Sequence, residues 1–192
     1  MQSRTLFRHG AAALRRLFGL CAFALLAAGP AHAVAAPGEG PVVTSVLDVD
    51  RPLRPGEYLW EPEGAPAGPL EIVVDLTAEQ MYVYRGGSEI GRSLIIHGND
   101  GMETPVGSFP ILEKDIDHVS NIYHAPMPYM LRLTWGGVAI HGSGESVDGR
   151  YATHGCIGLP DEFAALLFKV ARRGDRVTVT RNWMPGVYGR WR

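Results

Sequence analysis

Short runs of β-branched and aromatic residues, separated by turns that contain glycine, recur from residue 70 to residue 180. This pattern is typical of strands joined by tight turns, and it predicts a mostly β domain. The predicted strands are Leu70–Leu76, Gln80–Arg85, Ser88–His97, Gly107–Leu112, Tyr129–Trp135, Gly137–His141 and Arg176–Thr180. The pairs Gly86-Gly87 and Gly136-Gly137 suit hairpin turns, because glycine adopts the positive φ that such turns require.

One segment has the periodicity of an amphipathic helix. Phe163, Leu166, Leu167 and Val170 follow i, i+3, i+4, i+7 spacing, so they share one apolar face. Acidic residues precede this face and Gly174 follows it, as at the start and end of a helix. The expected fold class is therefore mainly β with one clear helix, in a domain of residues 70–181.

The segments on either side of this domain differ from it in composition. Residues 1–33 combine four arginines, an apolar run and the small-x-small sequence Ala31-His32-Ala33, which together predict a cleaved signal peptide. Residues 34–69 are rich in Pro, Gly and Ala and are predicted to form an extended lead-in. Residues 182–192 are predicted to be a C-terminal tail. The chain is thus expected to be exported.

The charge of the expected mature chain argues against one class of partner. Residues 1–33 carry 4 of the 18 Lys and Arg and none of the 20 Asp and Glu. Removing them leaves 14 basic against 20 acidic residues, a net charge of −6. Because nucleic-acid-binding domains usually present a basic face, no nucleic acid is expected as a partner.

Cysteine usage is the strongest chemical signal. Cys21 lies in the leader, so Cys156 would be the only cysteine of the mature chain. Exported proteins usually pair their cysteines, and an unpaired one is either buried and inert or reactive. Cys156 follows the sequence Thr153-His154-Gly155, and His141 ends a predicted strand. An imidazole can take the thiol proton, and consecutive backbone N–H groups in a glycine turn can bind an oxyanion.

This segment resembles the signature of the YkuD-type family of L,D-transpeptidase catalytic domains. That signature is a histidine, a spacer of about a dozen residues and then Ser/Thr-His-Gly-Cys; here 11 residues separate His141 from Thr153. The likeness covers residues 70–181 and includes Thr104–Phe109, similar to the family's TPxGxF block, and Ala125–Tyr129. It implies a YkuD-type β-sandwich with the cysteine in a loop at a cleft, and it implies no cofactor and no metal.

The resemblance also implies roles for individual residues. Cys156 is expected to be the nucleophile and His141 its base, with the backbone carbonyl of Gly142 orienting the imidazole. The amides of Gly155 and Cys156 are expected to form the oxyanion hole, and His154 to be a supporting residue. The implied substrate is a peptidoglycan stem tetrapeptide, which would lose D-alanine and be transferred to an amine of a second stem or of an envelope protein. The implied location is the periplasm or the cell wall.

One position departs from the family pattern. Relatives usually carry Arg or Asn two residues after the cysteine, where this chain has Gly158. The candidates for contacting the donor stem are therefore Gly158 itself, Tyr129, Arg132 and Arg150, and either arginine would replace the missing basic group.

Three alternatives stay open at this level. Water in place of the acceptor amine would make the same site an L,D-carboxypeptidase. A domain that keeps the substrate cleft but does not catalyse a reaction would be a peptidoglycan-binding module. His141, His154 and Cys156, with His97 or His124, would be the donors of a zinc site, although no CxxC or HxxxH pairing supports one.

Overall fold

The structure is a computed structural model, and it describes residues 40–98, 101–144, 147 and 152–183. The predicted signal peptide, Arg150 and residues 184–192 of the predicted tail lie outside this part of the chain. The described residues form β1 Tyr58–Trp60, β2 Leu70–Asp75, β3 Gln80–Arg85, β4 Ser88–Leu94, β5 Gly107–Pro110, β6 Glu113–Val119, β7 Pro126–Arg132, β8 Ala139–Gly142, β9 Ile157–Leu159, α1 Asp161–Val170 and β10 Arg176–Thr180.

The larger sheet has six strands in the order β1-β4-β3-β2-β10-β5. The strands β2, β3 and β4 follow one another as antiparallel neighbours, and β10 runs parallel to β2. The turn between β3 and β4 is made by Gly86 and Gly87, with φ of 54° and 86°. Both values are in the left-handed region that favours glycine, which explains the predicted hairpin at this pair.

The smaller sheet has four strands in the order β6-β7-β8-β9, and it carries the residues singled out from the sequence. Its strand β7 is antiparallel to β6 and β8, whereas β8 and β9 are parallel. In that parallel pair His141 is directly opposite Gly158.

Both sheets and the helix contribute to one buried apolar cluster. Its members include Ile72 and Val83 from the larger sheet, Leu131 and Ile140 from the smaller one, and Phe163 from α1. Burial of these side chains between the layers drives the two sheets together. The expectation of a mainly β sandwich with one helix is confirmed.

Three short or polar strands were not predicted. The strand β6 has the sequence EKDIDHV, whose charges obscure any alternation, yet it forms an edge where charged side chains reach solvent. The strand β1 lies inside the predicted lead-in and pairs with β4, so part of residues 34–69 belongs to the larger sheet. The strand β9 has only three residues.

The helix is shorter than the sequence pattern suggests. It ends at Val170, before Gly174, because the backbone of Ala171 is already extended, with φ −68° and ψ 144°. The Nζ of Lys114 donates to the Phe168 and Ala171 oxygens, at 2.6 and 2.5 Å. No helix among the described residues has the length and apolar character needed to cross a membrane.

Candidate functional site

The predicted nucleophile and base lie on neighbouring strands. His141 is in β8, and Cys156 is the residue immediately before β9. The side chain of Cys156 packs against the buried cluster of Met127, Met130 and Ala139, and Ala139 is two residues before His141 in the same strand. Residues two apart in a strand share a face, so the sulfur and the imidazole project on the same side of the sheet. Strand spacing and rise place the two Cα atoms about 8 Å apart.

The imidazole of His141 is held in one tautomer by the backbone. Its Nδ1 is 2.7 Å from the Gly142 carbonyl oxygen. A carbonyl can only accept, so Nδ1 carries the hydrogen and Nε2 keeps its lone pair. The Ser143 hydroxyl is also near Nδ1, at 3.5 Å. The ring therefore presents a proton acceptor, as a general base requires.

Burial keeps this ring neutral. It lowers the pKa of His141 below the ordinary imidazole value, against opposing contributions from the Gly142 carbonyl and the Asp161 carboxylate. The positive charge that His118 can carry also lowers this pKa. At neutral pH the imidazole is thus ready to accept a proton.

The thiol of Cys156 is neutral in this arrangement. It donates to the Gly137 carbonyl oxygen at 3.6 Å, and within the described residues no hydrogen bond joins Sγ to His141. Burial raises the pKa of the thiol, while the Ala139 N–H and the Arg132 charge oppose that rise. The resting pair is a neutral thiol and a neutral imidazole, so the proton must transfer as the sulfur reacts.

The peptide units on either side of Cys156 are both held by threonine hydroxyls. Gly155 has a φ of 103°, which an L side chain rarely adopts. The hydroxyl of Thr153 donates to the Cys156 carbonyl at 2.5 Å, and the hydroxyl of Thr104 donates to the Gly155 carbonyl at 3.0 Å. The exposed His154 ring stacks on Tyr123, with 4.2 Å between centroids and 13° between planes. His154 therefore links this turn to the loop before β7.

Two of the predicted substrate contacts have partners inside the fold, and their role toward a ligand stays a prediction. Tyr129 is half-buried and packs against Phe168 of α1, with 6.0 Å between ring centroids, at the edge of the main core. Gly158 is buried, and its N–H and carbonyl are both bonded to Ile96, at 2.8 and 3.0 Å. Strand alternation directs the Tyr129 ring toward the helix, and strand pairing uses both backbone groups of Gly158.

Arg132 is the predicted contact that the structure brings to the sulfur. It is opposite Ala139 across β7 and β8, so its side chain emerges on the face that carries Cys156. Its Nε donates to Glu113 Oε2 at 2.7 Å. The guanidinium lowers the pKa of the Cys156 thiol, which places its charge within electrostatic reach of the nucleophile. The fourth candidate, Arg150, lies outside the described residues.

Sequence reasoning missed three residues near the site. Trp135 is 79% exposed in the turn between β7 and β8, two residues before Gly137. Tyr123 and Thr104 contact the turn before Cys156 but are 33 and 52 residues away from it in the chain. Of the three, only Thr104 could have been singled out from the sequence, because it lies in the block similar to the family's TPxGxF.

The zinc alternative finds no support among the described side chains. No group of three or more His, Cys, Asp or Glu in this part of the chain is arranged to hold a metal ion. The ring nitrogens of His97 face the Gly98 and Leu76 carbonyls, at 2.9 and 3.2 Å.

The missing basic residue at position 158 has a steric explanation that mutation can test. A Cβ at Gly158 would overlap the Ser143 hydroxyl and lie 2.6 Å from Ile96 Cγ1. We expect Gly158→Ala to lower the free energy of unfolding by about 1–3 kcal/mol, because overpacking a buried site strains its neighbours. Urea denaturation measures this loss.

The matched control is Gly136→Ala, at a position whose nearest neighbour to a new Cβ is the Thr134 hydroxyl, 3.6 Å away. This change should stay within about 0.5 kcal/mol of the parent. Equal stability of the two variants would show that the space beside Gly158 is not closed.

The family model of the YkuD L,D-transpeptidase catalytic domain matches residues 69–179. L,D-transpeptidase 1 of Mycobacterium tuberculosis strain H37Rv is 31% identical over 133 residues, covering 61% of this chain and 53% of the relative. The chain thus spans about half the length of the curated relatives that it matches.

Solved structures show the same similarity. An L,D-transpeptidase from Mycobacterium smegmatis superposes with a TM-score of 0.55 at 28% identity, covering 58% of each chain. The LD transpeptidase LdtMt1 in complex with imipenem gives a TM-score of 0.53 at 26% identity, covering 58% of each chain. The Ldtfm-avibactam carbamoyl enzyme gives 0.53 at 29% identity, covering 59% of this chain and 49% of that one.

Proposed function

Because this chain belongs to the YkuD family of L,D-transpeptidase catalytic domains, we propose that it is a cysteine-dependent acyltransferase acting on peptidoglycan stem tetrapeptides. In this proposal Cys156 is the nucleophile and His141 the base. One observation carries the assignment. The hydrogen bond from His141 Nδ1 to the Gly142 carbonyl leaves Nε2 as a proton acceptor on the face where the sulfur lies.

The reaction proceeds in two acyl transfers. His141 takes the thiol proton while the sulfur attacks the carbonyl of the L-centre that precedes the terminal D-alanine. The tetrahedral intermediate collapses, the C–N bond breaks, and His141 returns the proton to the departing D-alanine amine. An amine of a second stem or of an envelope protein then attacks the thioester, gives its proton to His141 and releases Cys156 as the thiol.

The relatives supply a practical probe for the first transfer. One similar enzyme is known in complex with imipenem and another as an avibactam carbamoyl enzyme. Both compounds present a strained carbonyl to a nucleophile. We expect a carbapenem to acylate Cys156 of this chain, with intact-mass spectrometry reporting the adduct.

Product analysis separates the transferase from its alternatives. The purified protein is incubated with a disaccharide tetrapeptide, and the products are separated and weighed. Cross-linked dimers support the transferase, whereas tripeptide without dimers indicates an L,D-carboxypeptidase. No product and no carbapenem adduct, with the thiol still open to alkylation, would overturn the enzymatic proposal in favour of a binding module.

We further propose that Arg132 holds a carboxylate of the donor stem. Within the described residues its terminal nitrogens have no partner, because Glu113 engages only Nε. Two N–H groups on a planar guanidinium match the geometry of a carboxylate. The C-terminal carboxylate of D-alanine is such a group on the donor, and a diamino acid with a second carboxyl group would supply another.

The prediction is a loss of affinity for acidic donors. Arg132→Gln should raise KM for the natural donor about 10-fold or more, because charge-assisted hydrogen bonds contribute about 1.5–3 kcal/mol. Donors amidated at a single carboxylate identify the group that Arg132 binds. Amidation of that carboxylate should raise KM in the parent protein but not in Arg132→Gln. The matched control is Arg176→Gln, which removes an arginine paired with Glu71 in the larger sheet. Equal KM values for Arg132→Gln and the control would exclude this role.

Export and location are part of the same proposal. A stem-peptide acyltransferase meets its substrate outside the cytoplasm, which agrees with the leader expected in residues 1–33. N-terminal sequencing of the protein recovered from the periplasm or the cell wall tests this, with residue 34 as the expected first residue.

A further inference from the structure

Residues 96–98, which follow β4, pack against the turn of residues 153–156 that precedes β9. Ile96 and Gly158 exchange two backbone hydrogen bonds, and the Thr153 N–H donates to the His97 carbonyl at 3.1 Å. Gly98 approaches the turn so closely that a Cβ there would lie 2.6 Å from Gly155 Cα. The backbone of residues 96–98 therefore supports the turn along its whole length.

Thr104 connects this support to the peptide unit that precedes the sulfur. Its side chain is buried, with 2% of the residue exposed. The Gly98 N–H donates to Thr104 Oγ1 at 3.0 Å, so the single hydroxyl hydrogen is left for the Gly155 carbonyl, also at 3.0 Å. Because the hydroxyl has one hydrogen and the Gly98 N–H can only donate, Thr104 accepts from Gly98 and donates to Gly155.

The Gly155 carbonyl determines where the Cys156 N–H points. The peptide bond between them is trans, so the N–H is directed away from the carbonyl and away from Thr104. Among the described residues the Cys156 N–H has no acceptor. A glycine at φ 103° is easily rotated, so this orientation needs an external anchor.

We propose that Thr104 is a positioning residue for the oxyanion hole. This inference rests on the proposed function. When Cys156 attacks the donor carbonyl, the S–C bond forms and the electron pair of the C=O bond moves to oxygen. The hydroxyl of Thr104 holds the Gly155–Cys156 peptide so that the Cys156 N–H donates to that oxyanion. Without it the peptide rotates and the donor no longer faces the developing charge.

Two reactions of the same sulfur test this role. A carbapenem reacts through an oxyanion, whereas iodoacetamide alkylates the sulfur by displacement of iodide, and no oxyanion forms. Thr104→Val keeps the shape of the side chain and removes the hydroxyl, and Thr104→Ser keeps the hydroxyl. We expect Thr104→Val to slow acylation about 10–100-fold, while alkylation stays within about threefold. Thr104→Ser should acylate at nearly the parent rate.

The outcomes are distinct. An equal loss in both reactions, or no loss in acylation, would overturn the positioning role. If Thr104→Val does not fold, Thr104→Ala compared with Thr104→Ser supplies the same ratio of the two rates. A parent protein that is alkylated but never acylated by carbapenem or tetrapeptide would contradict the proposed function itself, which is a different result from a failure of Thr104.

Discussion

Replacing Cys156 with alanine is expected to abolish the carbapenem adduct and to lower transfer of the stem peptide about 10⁴-fold or more. In the proposed mechanism the Cys156 sulfur forms the covalent intermediate, and an alanine at this position has no nucleophile to replace it. Its neighbours Met127, Met130 and Ala139 are apolar and cannot take over the reaction. Intact-mass spectrometry and product analysis measure the two effects.

The control for this change is the other cysteine of the chain. In the full-length protein Cys21→Ala should keep the adduct and the activity, since Cys21 lies in the expected leader. Cys156→Ser adds a second comparison, because a serine hydroxyl keeps the shape but is far less acidic. An adduct that persists in Cys156→Ala would place the nucleophile elsewhere.

Replacing His141 with alanine is expected to slow acylation about 10²–10⁴-fold at neutral pH, the usual loss when a general base is removed. The pKa of the Cys156 thiol is raised by burial, so little thiolate forms without a base. In the proposed mechanism His141 removes the thiol proton during attack, so the raised pKa of the thiol should slow the parent protein less than the variant. Rates with a carbapenem under single-turnover conditions measure this difference.

The pH dependence of the two proteins should differ in direction and in range. Only neutral His141 can act as a base, and burial lowers its pKa below 6.5. The parent rate should therefore rise with pH through a midpoint below 6.5 and be level at neutral pH. In His141→Ala the rate should follow thiolate formation and keep rising above pH 9.0, the ordinary thiol value, because the pKa of Cys156 is raised.

His118 offers a matched histidine control for these profiles. It is paired with Asp115 at 3.1 Å, and its charge lowers the pKa of His141. His118→Ala should keep the maximal rate and move the acidic midpoint of the profile upward. A profile with its midpoint well above 6.5 in the parent protein would contradict a buried, neutral imidazole.

The predictable part of the fold was the part with local signals. The hairpin from β2 to β4 has β-branched runs and a Gly-Gly turn, and the helix has a clear apolar face, so both were predicted within a few residues. The strand β6 was not, because an exposed edge tolerates charges that hide its period. The strand β1 was missed because its three residues lie among prolines and glycines.

The candidate site was predictable in its chemistry and less so in its contacts. The residue types and spacing of His141 and Cys156 indicate a thiol nucleophile and a base from the sequence alone. Which groups surround them depends on residues brought from far along the chain, as with Thr104 and Arg132. Tyr129 looked suitable as a substrate contact, yet its position in β7 turns it toward the core.

The sequence alone determined the mostly β class and the glycine at the turn before Cys156, and it predicted Cys156 and His141 as the reactive pair, since each depends on residue type and short-range spacing. Only the tertiary structure decided that the resting thiol donates to Gly137, that a Cβ at Gly158 would meet Ser143 and Ile96 and that the Thr104 hydroxyl donates to the Gly155 carbonyl. These features arise from strand register and from packing between distant segments. Such relations are set when the sheets assemble, and no local pattern of residues encodes them.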